Sequence, residues 1–273
     1  MTLADSDIVA RHAVRIVGQG KRDLLFAHGF GCAQTMWRHV APALARDNRA
    51  ILFDYIGMGE APAAAYDPIR HASLDGYARD LLDVARAVGG PPKIVVGHSV
   101  SATIGLLAAL QAPEVIAGVA MLCPSPCFLD DGPYRGGFAR EAIEGLLAYL
   151  DTNPLEWSRN LAGMVAGDPG RPDVAGELEA SFCALDARIA RDFARLTFLA
   201  DNRADFAKLR HPALIVQCAH DAIAGPAVGR YVRDAIPGSR FVELDAHGHC
   251  PHLSHPGATI AAIAAFVDEL PDG

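Results

Sequence analysis

No apolar run in this 273-residue chain approaches the ~20 residues that a membrane span needs, because polar residues, Gly or Pro interrupt every one. No basic run is present either. The 24 Lys and Arg against 32 Asp and Glu give a formal charge of -8, so a phosphate backbone finds no complementary footprint. Membrane insertion and nucleic-acid binding are therefore not expected. The six cysteines (Cys32, Cys123, Cys127, Cys183, Cys218, Cys250) include no Cys-x-x-Cys pair, and Cys123 and Cys218 end apolar runs. That is the pattern of buried free thiols in a reducing compartment rather than of a disulfide frame. Residues Met1 to Arg15 lack the basic start and apolar stretch of a secretory signal, and a cytoplasmic location is expected. Internal repeats and low-complexity tracts are missing too, apart from a bias towards Ala. What the chain has in quantity is apolar content, 51% of its residues, which must go into a core.

Short apolar runs alternate with amphipathic segments. Asp23 to Ala27, Ala50 to Phe53, Lys93 to Val96, Val115 to Cys123, Ala213 to Cys218 and Arg240 to Leu244 read as strands. Runs such as Ile94-Val95-Val96 and Leu214-Ile215-Val216 are apolar on both faces, which suits a mostly parallel sheet covered by helices on either side. His12 to Val17 alternates instead, as an antiparallel edge strand does. Helices are expected at Met36 to Arg46, Ser73 to Val88, Val100 to Gln111, Ala227 to Ala235 and Pro256 to Leu270. The alternation stops between about Pro126 and Asp201, where stripes such as Trp157, Leu161, Met164, Val165, then Val174, Leu178, Phe182, Leu185, then Ile189, Phe193, Leu196, Ala200 recur at helical spacing. This segment reads as an inserted helical unit whose stripes pack on one another and on the sheet.

The sharpest chemical signal is Lys93 to Ser101, an apolar strand that turns into a helix through Gly97-His98-Ser99-Val100-Ser101. A Ser at the tip of such a turn projects its hydroxyl over the strand ends, and its neighbours two residues away must be small. Gly97 meets this; Ser101 departs from the usual Gly, and a slightly wider crossing is expected. A hydroxyl needs a base, and the base needs an acid partner to fix its tautomer. Asp221 and His249 follow the last two expected strands, so the chain order Ser99, Asp221, His249 matches the α/β-hydrolase arrangement. Asp245 and Asp201 are rival acids. The glycine-flanked turn His28-Gly29-Phe30-Gly31 closes the first core strand and offers the backbone N–H of Phe30, beside that of Val100, as an oxyanion hole. His247, His249, His252 and His255 cluster with Cys250, but their spacings of two, three and three across a Gly- and Pro-broken loop fit no common zinc pattern, and no metal or cofactor is expected. Gly57-Met58-Gly59 lacks the third glycine of a dinucleotide loop and reads as a structural turn. His98 is expected to pack or bond to the loop rather than act as the base.

The chain resembles the RsbQ-type α/β hydrolases of bacterial stress signalling, which are similar to the plant strigolactone and karrikin receptors. The likeness rests on His28-Gly29-Phe30-Gly31, Leu52-Phe53-Asp54-Tyr55 with Gly57 and Gly59, Ser73-Leu74-Asp75-Gly76-Tyr77-Ala78, Val96-Gly97-His98-Ser99-Val100, Pro124-Ser125-Pro126-Cys127, Gly136-Gly137-Phe138 and the run from Gly248 to Pro256. It implies an α/β-hydrolase core at residues 1–125 and 202–273 and a four-helix cap at 126–201. It also implies a buried, largely apolar pocket, for which Phe30, Phe128, Phe138, Leu146, Trp157, Phe193, Phe198 and Ile223 are the candidates. A complete Ser-His-Asp triad with weak turnover, a small apolar ester, lactone or enol-ether as ligand and a PAS-domain regulatory protein as partner follow from the same resemblance. Besides Ser101, the departures are His220 before Asp221, and Ala222 and Gly225 near the pocket mouth. Two readings stand side by side: a serine hydrolase, signalling or metabolic, and a ligand-binding signalling module without significant turnover.

Overall fold

A computed structural model describes residues 2–271. The central feature is a seven-stranded sheet made of β1 (Arg15–Val17), β2 (Asp23–Ala27), β3 (Arg49–Leu52), β4 (Lys93–His98), β5 (Ile116–Leu122), β6 (Ala213–His220) and β7 (Arg240–His247). Its spatial order is β1-β3-β2-β4-β5-β6-β7, and every neighbouring pair is parallel except β1 against β3. β2 and β4 are buried along their whole length, as their apolar runs require when helices cover both faces. The chain winds from β2 outward to β3 and then crosses back to β4. The carboxyl ends of the adjacent strands β2 and β4 therefore flank the point where the winding reverses, and a crevice opens there.

The connecting helices follow the amphipathic segments closely. They are α1 (Leu3–Arg11), α2 (Ala41–Leu44), α3 (Leu74–Ala87), α4 (Val100–Gln111), then α5 (Arg140–Thr152), α6 (Pro154–Ala166), α7 (Pro172–Cys183) and α8 (Ala187–Leu199) between β5 and β6, with α9 (Arg203–Phe206), α10 (Pro226–Ala235), α11 (Pro251–Ser254) and α12 (Pro256–Glu269) completing the chain. The run of four helices without a strand is the segment that the sequence marks as inserted. Its two ends meet: Cys127 bridges to Asp201, and the Asn202 N–H donates to the Pro126 carbonyl at 2.8 Å. No helix among the described residues is long and apolar enough to cross a membrane.

Three elements differ from expectation. The helix expected over Met36 to Arg46 is split into a 3-10 turn, Gln34–Trp37, and the short α2, because Pro42 lacks an N–H and its ring clashes with the carbonyl four residues back. Only residues 15–17 of the expected edge strand pair with β3, while His12 turns inward and bonds the Asp54 carbonyl at 3.0 Å through Nδ1. α1 has no counterpart in the sequence reading. It buries none of its residues and so leaves no periodic signal, although Thr2 and Asp5 form a capping box at its start.

At the amino-terminal edge of the sheet, the fully buried Lys93 donates from Nζ to Asp23 Oδ2 at 2.8 Å and to the carbonyls of Gly89 and Pro91 at 2.7 Å each. Arg49 reaches the same carboxylate oxygen at 2.8 Å, so one carboxylate ties together the starts of β2, β3 and β4. Removing one partner of a buried ion pair strands the other charge. Asp23→Ala is expected to lower unfolding free energy by about 3–5 kcal/mol, while the joint change Asp23→Leu, Lys93→Met and Arg49→Met, which removes all three charges, is expected to cost less. Urea denaturation of the two proteins checks this, and equal losses in both would show that packing, not charge, dominates at this edge.

Candidate active site

β4 runs into α4 through Ser99, whose backbone sits at φ 55° and ψ -122°, a region that a β-carbon disfavours. The strand and helix cross so closely that a β-carbon on Gly97 would lie 2.4 Å from the Ser101 carbonyl oxygen. The Ser99 N–H donates to the Leu122 carbonyl at 2.9 Å, which extends the β4–β5 ladder to the tip of the turn. Ser101 is fully buried, and its hydroxyl has hydrogen-bond partners on both sides. The side chain that replaces the usual Gly is thus used as well as accommodated.

Asp221 follows β6 and His249 follows β7. His249 Nδ1 donates to Asp221 Oδ2 at 2.7 Å, and His249 Nε2 lies 2.8 Å from Ser99 Oγ. A carboxylate accepts only, so the ring proton is on Nδ1, and Nε2 presents its lone pair to the serine hydroxyl. The other carboxylate oxygen, Oδ1, accepts from the backbone N–H groups of Ile223 at 2.8 Å and Ala224 at 3.1 Å. All three side chains are buried. The rival acids are elsewhere: Asp245 is exposed on β7, and Asp201 pairs with Arg203 at 2.6 Å. The His249 loop is held from two directions, because its N–H donates to the Val165 carbonyl at the end of α6 at 2.8 Å and its carbonyl accepts from His98 Nε2 at 2.8 Å. The backbone N–H groups of Phe30 and Val100 have no acceptor among the described residues.

The histidine cluster of the sequence does not assemble as a unit. His247 stacks on His220 at 4.3 Å and is exposed, and His255 bonds Ser254. Cys250 and His252 instead meet His98, with donor atoms all within 4.8 Å. Local spacing misses this grouping, since His98 comes from a different strand. The trio has the chemistry of packing: burial pushes the Cys250 thiol well up and His98 well down, and His98 Nε2 is engaged by the His249 carbonyl. His252, tilted against Trp37 at 4.6 Å, is pushed down to about 3 by burial first and by His249 second.

The hydroxyl of Ser99 faces a chamber of about 30 Å³, room for about two waters. Of the expected pocket residues, Phe30, Phe128, Phe198 and Ile223 line it. Phe138, Leu146, Trp157 and Phe193 do not. Trp157 packs its edge on Phe30 at 5.8 Å, Phe193 stacks on Phe30 at 5.7 Å and on Tyr77 at 4.4 Å, Phe138 lies behind Phe128 at 6.5 Å, and Leu146 is half-buried on α5. The wall is completed by Leu161, Val165, Phe182 and Thr197, with Cys32 and His98. Leu161, Val165 and Phe182 were visible as members of the helical stripes, but a stripe names a face and not the residue on it that meets a cavity. A larger hollow of about 330 Å³ lies between α7 and the loops after β2 and β3, and Cys32 lines both spaces.

Comparison with known proteins places these features among relatives. A family model described as "Alpha/beta hydrolase family" matches residues 24–263. The strigolactone esterase D14 of Arabidopsis thaliana is 32% identical, over 97% of this chain and 98% of its own. The karrikin insensitive 2 receptor IA of Petunia hybrida is 32% identical, over 93% of each. The solved structure of a hydrolase from Oleispira antarctica shares 36% identity and a TM-score of 0.95, covering 98% of this chain and 99% of that one.

Four buried histidines, His12, His28, His98 and His252, have pKa values lowered chiefly by burial. Each is neutral in the folded chain, whereas the unfolded chain takes up a proton below about pH 6.5. The stability that they contribute is fully present above that pH. It is lost as pH falls towards the folded values, by up to about 1.4 kcal/mol per pH unit for each group. The melting temperature is therefore expected to fall from pH 6.5 to 5.5, and less steeply in His252→Phe, which keeps a ring where neither nitrogen has a partner. Thermal melts at pH 7.5, 6.5 and 5.5 test this; equal melting temperatures throughout would show that these histidines do not govern acid stability.

Proposed function

We propose that this chain, which belongs to the alpha/beta hydrolase family, is a serine esterase with Ser99 as nucleophile, His249 as general base and Asp221 as the acid that orients it. The observation that carries this reading is the unbroken hydrogen-bond line from Ser99 through His249 to Asp221, ending in a chamber beside two unused backbone donors. As Ser99 Oγ attacks an ester carbonyl carbon, its proton passes to His249 Nε2, and the resulting imidazolium is held by Asp221. The carbonyl oxygen becomes an oxyanion and accepts from the Phe30 and Val100 N–H groups. Collapse breaks the bond to the alcohol, which leaves with the proton from His249, and water then hydrolyses the acyl-serine by the same path.

Residues 126–201 form the cap in this reading, and residues 1–125 and 202–273 form the core. The chamber wall is almost wholly apolar, which supports a small apolar ester, lactone or enol-ether as ligand. Its volume of about 30 Å³ supports a small acyl group rather than the broad substrate range of a general metabolic carboxylesterase. The motifs shared with RsbQ-type hydrolases and the kinship to a protein named as a receptor support slow turnover and a cytoplasmic signalling role with a PAS-domain regulator as partner.

Ser99→Ala is expected to cut hydrolysis of p-nitrophenyl acetate by at least about a thousandfold with an unchanged melting temperature. Retention of more than a tenth of the activity sinks the mechanism. The chamber makes a second expectation: rates fall steeply from acetyl to octanoyl esters, and Phe182→Ala, which removes a wall residue, flattens that decline. A chain-length profile that is flat in the unaltered enzyme would overturn the size argument.

A further inference from the structure

The Phe30 N–H belongs to a loop without regular structure, so something outside the loop must aim it. The aim begins at His28, which is fully buried. Its Nδ1 lies 3.0 Å from the Gly29 carbonyl oxygen, and its Nε2 lies 3.3 Å from the Tyr55 backbone nitrogen. A carbonyl only accepts and an amide N–H only donates, so the ring carries its proton on Nδ1, and both nitrogens are satisfied in one tautomer. The Gly29 carbonyl and the Phe30 N–H are the two ends of one planar trans peptide and point in opposite directions. Holding the carbonyl on the His28 ring therefore turns the Phe30 N–H the other way, and Phe30 lines the chamber with that N–H unpaired.

A second tie holds His28 itself. Ser101 Oγ donates to the His28 carbonyl at 2.5 Å, and because its proton is engaged there, the Tyr55 hydroxyl, 3.0 Å away, donates to Ser101. Tyr55 thus grips the loop twice, through its backbone N–H on the ring and through its hydroxyl on Ser101. Ser101 stands on the first turn of α4, next to Val100, which supplies the other proposed oxyanion donor. We infer that Ser101, together with Tyr55 and His28, is a positioning residue that sets the Phe30 N–H relative to the Val100 N–H, so that the side chain in place of the usual glycine tunes the oxyanion site. This rests on the esterase reading above. A glycine at 101 leaves the His28 carbonyl and the Tyr55 hydroxyl without these bonds.

The test compares wild type, Ser101→Ala, Tyr55→Phe and the double variant, with Ser99→Ala as control. Ser101→Ala is expected to lower kcat about tenfold with KM within twofold, and to weaken by the same factor a trifluoromethyl ketone that forms an oxyanion adduct with Ser99. Tyr55→Phe, which keeps the ring and backbone, is expected to lose about threefold. The double variant is expected to lose no more than Ser101→Ala alone, since both act through one network. Ser99-dependent activity that is unchanged in both single variants overturns this inference and leaves the esterase reading standing. A fall in melting temperature with unaltered kcat and ketone affinity also overturns it, by assigning Ser101 to stability alone, and fully additive losses overturn it by showing that Ser101 and Tyr55 act independently. Activity that survives Ser99→Ala overturns the esterase reading and this inference together.

Discussion

The Ser99 backbone occupies a conformation that costs on the order of 1–3 kcal/mol, and its hydroxyl stands over the strand ends only while that conformation is enforced. The enforcement comes from the middle of the sheet. β4 is buried along its whole length, the Ser99 N–H prolongs its pairing with β5, and α4 begins at the next residue, so strand and helix must reverse within one position. Gly97 lets them pass. Relaxing Ser99 into an ordinary helical or extended geometry would pull either β4 or α4 out of register, which costs far more than the strain. The apolar core of the sheet therefore performs a local task, the projection of one hydroxyl, and the surrounding residues are arranged about that point.

The roof of the chamber and the base beneath it are similarly joined. Val165 lines the chamber with its side chain and accepts the His249 N–H with its carbonyl. α6 ends there at Gly167 in the left-handed conformation, and Gly248, also at positive φ, packs so closely that a β-carbon on it would lie 2.0 Å from the Ala166 carbonyl oxygen. The inserted helices and the loop that presents His249 thus share backbone contacts with no compliant side chain between them. The end of α6 and the backbone that carries His249 are therefore held in one contact, without a side chain to cushion it.

Much of this was legible in the sequence, and the reason is positional. Apolar runs mark the strands before Ser99 and Asp221, and the residues just past their carboxyl ends are few, whereas His249 follows the mixed edge strand β7 and stands out by chain order and residue type. Phe30 and Val100 are candidate donors by position, because glycines bracket one and Ser99 precedes the other. The pocket wall was harder to read. Trp157, Leu161, Met164 and Val165 share one stripe, yet Trp157 packs behind Phe30, Met164 is 42% exposed, and only Leu161 and Val165 reach the chamber. Helical period assigns a face about 100° wide, and the depth of a residue within that face depends on where neighbouring helices cross. α1 escaped for the opposite reason, since it rests on the core through the partly buried Ile8 and has no broad apolar face to betray it. The grouping of His98 with Cys250 and His252, and of Ser101 with His28 and Tyr55, joins distant segments, and only the tertiary structure brings those partners together.

Charge within the site is as sparse as space. His98 lies against His249 and His252 against His98, while His28 lies under the Phe30 loop; burial lowers the affinity of each for a proton, so the rings near Ser99, His249 and Asp221 are neutral. The array has no fixed cation among its own members; Asp221 is stabilised by two backbone N–H groups and by the His249 Nδ1–H. In the proposed reaction, a full positive charge arises beside Asp221 only when His249 takes the Ser99 proton, which is also when the oxyanion forms in front of Phe30 and Val100. A permanent cation in the same place would stabilise Asp221 in the resting state as much as in the transition state and lower no barrier. Keeping the neighbouring imidazoles neutral reserves the Asp221 charge for the one imidazolium that the reaction creates. The loss of stability expected of these buried histidines in acid has the same origin, since burial is what keeps each ring neutral.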